Sequence, residues 1–173
     1  GTHAFLWCWT QCFGFGEGAV KLPFIVMSVL AILLLYRFAH AWAGAAVALI
    51  VTALLATLQY TVMYGQIARP YAMGLFATAL LADQLTRYLG SGRVRNLVGA
   101  AIAAVLSAYT HHFALMLAAF MAITGLFLAT PEQRKGLLIA LGIAAACYLP
   151  NLPLFFAQLG WKGLDGWLSA PAP

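Results

Sequence analysis

Tyr64-Gly65-Gln66-Ile67-Ala68-Arg69-Pro70-Tyr71 lies between two long apolar stretches of a 173-residue chain that is 64% hydrophobic and 8% charged. An arginine at the centre of a bilayer costs about 2.5 to 3.5 kcal/mol on insertion scales, so one beside an apolar span either reaches the interface or faces a functional cavity. Pro70 has no backbone N–H and disfavours helical geometry at the residue before it. The spacing predicts a chain break at Arg69 and a new helix with Pro70 in its first turn.

The rest of the composition sets the solvent. Soluble domains carry about a quarter charged residues, whereas this chain has thirteen in all, nine basic and four acidic, and a mean hydropathy of +0.93. It cannot cover a water-facing surface, and the lipid bilayer is its expected partner. The net charge of +5 follows from the excess of Lys and Arg in cytoplasmic loops, so no nucleic-acid partner is expected. Cys8, Cys12 and Cys147 have no metal-ligand spacing. Cys8 and Cys12, four apart in an apolar stretch, read as packing residues. The chain opens Gly1-Thr2-His3 without a basic leader and stops at Ala170-Pro171-Ala172-Pro173, which reads as an internal fragment of a larger membrane protein, a single transmembrane domain over 1–173.

Apolar runs cover 4–15, 22–36, 41–60, 70–88, 97–109, 111–128 and 137–149. A full crossing needs about 20 residues, so several are short. Arg87, Arg93 and Arg95 surround Gly90-Ser91-Gly92, Arg134 and Lys135 follow Pro131, and Arg37 with His40 makes a third basic break. These three read as cytoplasmic loops. Counting spans then puts 17–23, 64–70, 109–112 and 148–173 on the opposite face, with six basic residues inside against Lys21, Arg69 and Lys162 outside. The expected architecture is all-α: a polytopic helical membrane protein with about six transmembrane helices. Residues 1–16, too few for a crossing, form an N-terminal interfacial juxtamembrane helix, and 161–173 an outer-face loop. Asp83 and Arg87, four apart near the inner end of the Pro70 helix, are expected to pair.

The polar chemistry gathers outside: Glu17, Lys21, Tyr64, Gln66, Arg69, Tyr71, Tyr109, His111, His112, Asn151, Lys162 and Asp165. Arg69 and Lys21 suit a phosphate, the first by a bidentate fork and the second as a point charge. The tyrosines also fit an ordinary interfacial aromatic belt, and Glu17 with Lys21 an ion pair worth under about 1 kcal/mol. His111 and His112 are adjacent, so on a helix they point apart, and no metal site is expected from them. Asp165 reads as a solvated loop acid.

Four motifs occur in a familiar order: Gly14-Phe15-Gly16-Glu17-Gly18-Ala19-Val20-Lys21-Leu22-Pro23, Ala68-Arg69-Pro70-Tyr71-Ala72, Tyr109-Thr110-His111-His112-Phe113 and Tyr148-Leu149-Pro150-Asn151-Leu152-Pro153. Over nearly its whole length the chain resembles the polyprenyl-phosphate-sugar-dependent GT-C glycosyltransferases of the family 39 and protein mannosyltransferase-like group. The resemblance implies a bacterial inner-membrane, multi-pass enzyme, active on its periplasmic face, that passes a hexosyl or pentosyl group from a polyprenyl-phosphate carrier to a lipid, glycan or protein acceptor. It implies no cofactor beyond that donor substrate. Arg69, Tyr71, Lys21 and His111 would contact the carrier phosphate or substrate, with Glu17, Gln66, Tyr109 and His112 in support. The chain departs from the pattern at Ile67, where an acid often precedes Ala-Arg, and at Lys21, where arginine is usual. The catalytic acid of such enzymes, in the first outer loop, is expected upstream of Gly1, so the fragment alone should be inactive. Broken helices with a cation at the break also occur in secondary transporters and flippases, and small-residue faces in non-catalytic assembly subunits.

Overall fold

The computed structural model describes residues 2–159, and all regular structure among them is helical. In chain order the elements are α1 (Thr2–Phe13), α2 (Glu17–Thr57), α3 (Gln59–Gly65), α4 (Pro70–Ser91), α5 (Val94–Thr110), α6 (His112–Leu128), α7 (Pro131–Tyr148), a 3₁₀ turn (Leu149–Asn151) and α8 (Leu152–Leu159). The break at Arg69 is present. Its backbone is extended (φ −124°, ψ 160°) and Pro70 opens α4.

The break expected at Arg37 and His40 is displaced. The helix runs through both and breaks at Gly44, whose φ of 81° and ψ of 177° lie in a region essentially confined to glycine. Arg37 needs no loop because Asp83 of α4 holds it, with Nη2 donating to Oδ2 at 2.9 Å. α2 is therefore two arms joined at Gly44, the second ending at Thr57. Through α3 the chain returns to the first arm, where Gly65 lies against Ser28 so closely that an added Cβ would stand 2.9 Å from the serine Oγ.

Pro23 explains how α1 docks. A proline inside a helix leaves the carbonyl four residues earlier without its donor, here that of Ala19. The Trp9 indole N–H donates to that oxygen at 2.8 Å. Phe5, Trp9 and Phe13 stack along α1, with Phe5 edge-on to Phe24 of α2. Cys8 and Cys12, expected to pack, stand exposed and free on α1.

α4 is the centre of the bundle, with α2 on one flank and α5 and α6 on the other. Its contact faces are small: Ala79 meets Ala31 and Leu34, while Leu81 meets Ala100, Ala103 and Ala118. Side chains this short let backbones approach closely, which is how helices associate when the surroundings are as apolar as they are. Several hydroxyls are satisfied within their own helices. Thr52, Thr78, Ser107 and Thr124 each donate to the carbonyl four residues back.

Clasps at both ends fix the alternating directions of α4 to α7. At one end Gly92, in the left-handed region (φ 65°), stops α4. There the Tyr88 hydroxyl donates to the Gln133 carbonyl at 2.9 Å while Gln133 Nε2 donates to the Leu89 carbonyl, also at 2.9 Å. Thr130 and Gln133 close a capping box on α7, and the Arg134 guanidinium donates to the Leu126 carbonyl at the end of α6. At the other end the Tyr109 hydroxyl donates to the Cys147 carbonyl at 2.8 Å.

The bundle's outside is apolar, with Phe113, Phe127 and Phe156 well over half exposed. The stretches Glu17–Thr57 and Pro131–Ala157 are long and apolar enough to cross a membrane. α5 and α6 are apolar but have 17 residues each, about 25 Å of helix against a hydrocarbon layer of about 30 Å.

Candidate functional site

Where the Tyr109–Cys147 clasp closes one end of the bundle, a cavity of about 580 Å³ opens. Four pieces of chain wall it: the start of α1 (Thr2, His3, Leu6), the break at 68–71, the α5–α6 turn at 108–112, and the end of α7 with the following turn (Tyr148, Asn151, Leu154).

Arg69 is placed here by local chemistry. Its N–H closes a tight turn onto the Ile67 carbonyl at 2.7 Å, and Pro70 commits the next residue to helix. The side chain is exposed and, among the described residues, has no ion pair. No described residue in the cavity wall is an Asp or Glu. The wall thus carries one fixed positive charge, three histidines and several N–H and O–H donors, an arrangement that attracts anions.

His111 sits between α5 and α6 with an extended backbone, and its Nδ1 accepts from the Phe113 N–H at 3.3 Å, capping α6. An imidazole whose Nδ1 accepts carries its proton on Nε2, which is then a donor. Partial burial, and secondarily the neighbouring His112, hold its pKa below the ordinary 6.5. The neutral imidazole is therefore favoured over the imidazolium. Its ring lies 5.5 Å from that of Tyr71, which in turn stands 4.4 Å from Tyr64. The His111 and His112 rings are set at 83° to each other, and His112 leans on Phe155. Among the described residues no three His, Cys, Asp or Glu side chains converge on a point that could hold a metal.

Arg69, Tyr71, Tyr109, His111 and His112, grouped by counting spans, all line this one cavity. Glu17 and Lys21 do not. They form an ion pair with each other in the first turns of α2. Gln66 is exposed just past the end of α3 and also stands outside the wall. Lys162, Asp165 and the proposed outer-face loop at 161–173 lie outside the described residues. Sequence reasoning missed Thr2, His3 and Thr110 as lining residues and left Tyr148 and Asn151 without a role. The Tyr148 to Pro153 motif was the available signal for the last two. None existed for His3, which reaches the cavity only because Trp9 anchors α1.

The model of the dolichyl-phosphate-mannose-protein mannosyltransferase family matches residues 1–161. The chain belongs to this family. Neither a curated protein nor a solved structure matches it. As a mannosyltransferase-family chain it is a GT-C-like membrane glycosyltransferase, as its four motifs suggested. In this family member the Ala68-Arg69-Pro70-Tyr71 motif, carrying the break and the exposed guanidinium, forms one wall of the cavity.

Proposed function

We propose that the full-length protein transfers a sugar from a polyprenyl-phosphate carrier to an acceptor hydroxyl outside the cytoplasm, with the carrier phosphate seated beside Arg69. The observation carrying this reading is a guanidinium that, among the described residues, has no ion-pair partner, at a helix break, in a cavity whose described wall contains no carboxylate. The reading takes about six crossings, with the cavity on the periplasmic side of an inner membrane. α4 supports this topology. Arg69 and Arg87 are 18 residues apart, roughly 27 Å at about 1.5 Å per residue, close to the thickness of the hydrocarbon layer.

In the transfer, the bond from the anomeric carbon to the phosphate oxygen breaks and its electron pair leaves on the phosphate. The acceptor oxygen forms the new bond, and its proton passes to a carboxylate acting as general base. Arg69 stabilises the charge growing on the phosphate, where a preorganised cation does most for the rate. His111 offers its Nε2–H to the same group, and the Tyr71 ring holds the imidazole in place. Lys21, already neutralised by Glu17, serves at headgroup level. A hexosyl or pentosyl donor fits this chemistry equally.

The test is transfer from a polyprenyl-phosphate sugar by the reconstituted full-length protein. Arg69→Ala should lower kcat/KM by about 10² to 10³, as loss of one charge-stabilising donor does elsewhere, with Arg69→Lys between. Unchanged transfer and carrier affinity in Arg69→Ala would overturn the assignment.

A further inference from the structure

Thr86, in the half of α4 remote from Arg69, stands in the wall of two neighbouring hollows. One, of about 330 Å³, is lined by Tyr36, Arg37, His40, Asp83 and Arg87. The other, of about 410 Å³, is almost wholly apolar, walled by Phe38, Trp42, Leu85, Phe120 and Leu128 among others. The Trp42 indole N–H donates to Thr86 Oγ1 at 2.9 Å, so the two hollows share a fixed edge.

The charged hollow has more cation than its fold requires. Asp83 is 3% exposed and binds both Arg37 (2.9 Å) and Arg87 (3.2 Å), whose side chains are 42% and 46% exposed. One guanidinium would neutralise one carboxylate; the second leaves a net positive charge on the wall. Each guanidinium has five N–H donors. Among the described residues Arg37 uses Nη2 and Arg87 uses Nε, both on Asp83 alone. The buried carboxylate therefore holds two half-exposed forks in place with most of their donors unused. His40 stands beside them, 5.9 Å from the Tyr36 ring. Fixed, paired guanidiniums of this kind suit a phosphate ester.

The geometry points to a second lipid site, in which one anionic phospholipid places its phosphate on Arg37 and Arg87 and lays a hydrocarbon chain in the adjoining apolar hollow. This site lies at the end of α4 away from the Arg69 cavity and does not depend on the sugar-transfer reading. Free phosphate shares the headgroup chemistry, but only a lipid uses both hollows.

The experiment is native mass spectrometry of the delipidated full-length protein in detergent, titrated with dioleoyl phosphatidylglycerol, dioleoylglycerol or inorganic phosphate. One equivalent of the phosphatidylglycerol should bind at least tenfold more tightly than either of the others. Arg87→Gln, which leaves Asp83 its Arg37 partner, should weaken it at least tenfold, and Arg87→Lys by less. Thr124→Trp, filling the apolar hollow from an exposed position, should weaken the lipid at least fivefold and leave inorganic phosphate unaffected. Wild-type lipid affinity in Arg87→Gln, or equal binding of dioleoylglycerol, overturns the phosphate contact. Inorganic phosphate binding as tightly as the lipid overturns the lipid assignment. If Arg87→Gln does not fold, Thr124→Trp and His40→Gln decide, and wild-type lipid affinity in both overturns the site.

Discussion

Replacing Gly44 with alanine should destabilise the protein, while replacing Gly142 with alanine should stabilise it, although a Cβ at either position meets nothing within 4 Å. Crowding therefore cancels from the comparison and only backbone conformation remains. Gly142 lies inside α7, where alanine is favoured over glycine by about 0.8 to 1 kcal/mol. At Gly44 (φ 81°, ψ 177°) an L-residue is held in a region that costs about 1 to 3 kcal/mol. The two variants should differ by roughly 2 to 4 kcal/mol, with Tm shifts of opposite sign in detergent. Alanine can also escape the strain by letting α2 run straight, which would carry Gly65 away from Ser28. A Ser28→Cys/Gly65→Cys pair, in a background lacking Cys8, Cys12 and Cys147, reports this directly: it should crosslink with Gly44 and lose the crosslink with alanine there. If Gly44→Ala and Gly142→Ala shift Tm in the same direction and the crosslink persists, the two-armed account of α2 is wrong.

Arg37→Gln and Arg87→Gln should each cost under about 1 kcal/mol, since Asp83 keeps one partner and both arginines are partly screened by solvent. Together they should cost about 3 kcal/mol or more by stranding a buried carboxylate, and a double-mutant cycle that comes out additive would sink the shared-partner account. His111 has a lowered pKa, so its stabilising contribution is complete above 6.5 and is lost as pH falls through the lower folded value. Protonation also turns Nδ1 from acceptor into donor and removes the cap on α6. Tm should therefore drop between pH 7 and pH 5, and His111→Asn, which caps without titrating, should flatten that drop. Bound carrier phosphate should oppose it by favouring the imidazolium, so carrier affinity, measured by titration at several pH values, should rise as pH falls. Trp9→Phe strands the Ala19 carbonyl and should cost about 1 to 3 kcal/mol; partial proteolysis that cuts the variant near α1 no faster than wild type would argue against the anchor.

Pro70 marked a helix start because its effect is local: it acts on the residue beside it, so the start of α4 was legible. The start of α7 was not: the segment was expected from 137 with Arg134 and Lys135 in a loop, whereas the helix begins at Pro131 behind a Thr130–Gln133 capping box. The turn at His111 was legible too, since a tip there keeps the basic flanks of α5 and α6 on one side. Arg37 misled because its partner is 46 residues away. A basic residue in an apolar run reads as a loop unless a buried acid in another helix is known to hold it. The cavity divided the same way. Arg69, Tyr71, Tyr109 and His111 were grouped by alternation of spans, whereas His3 joins them through a tryptophan that completes a proline's missing hydrogen bond. Glu17, Lys21 and Gln66 were assigned to the same face but stand outside the wall, because alternation assigns a side of the membrane and says nothing of distance within it.

The alanine-lined flanks of α4 have a consequence for how such a chain can drift in sequence. Where two backbones meet through single methyl groups, one larger side chain levers them apart along the whole contact, and no nearby rotamer can absorb it. On the opposite faces a change in size is met by fluid lipid, which rearranges at little cost. Substitutions should therefore accumulate outward, while the seam stays small and the distance between the two ends of α4 stays fixed.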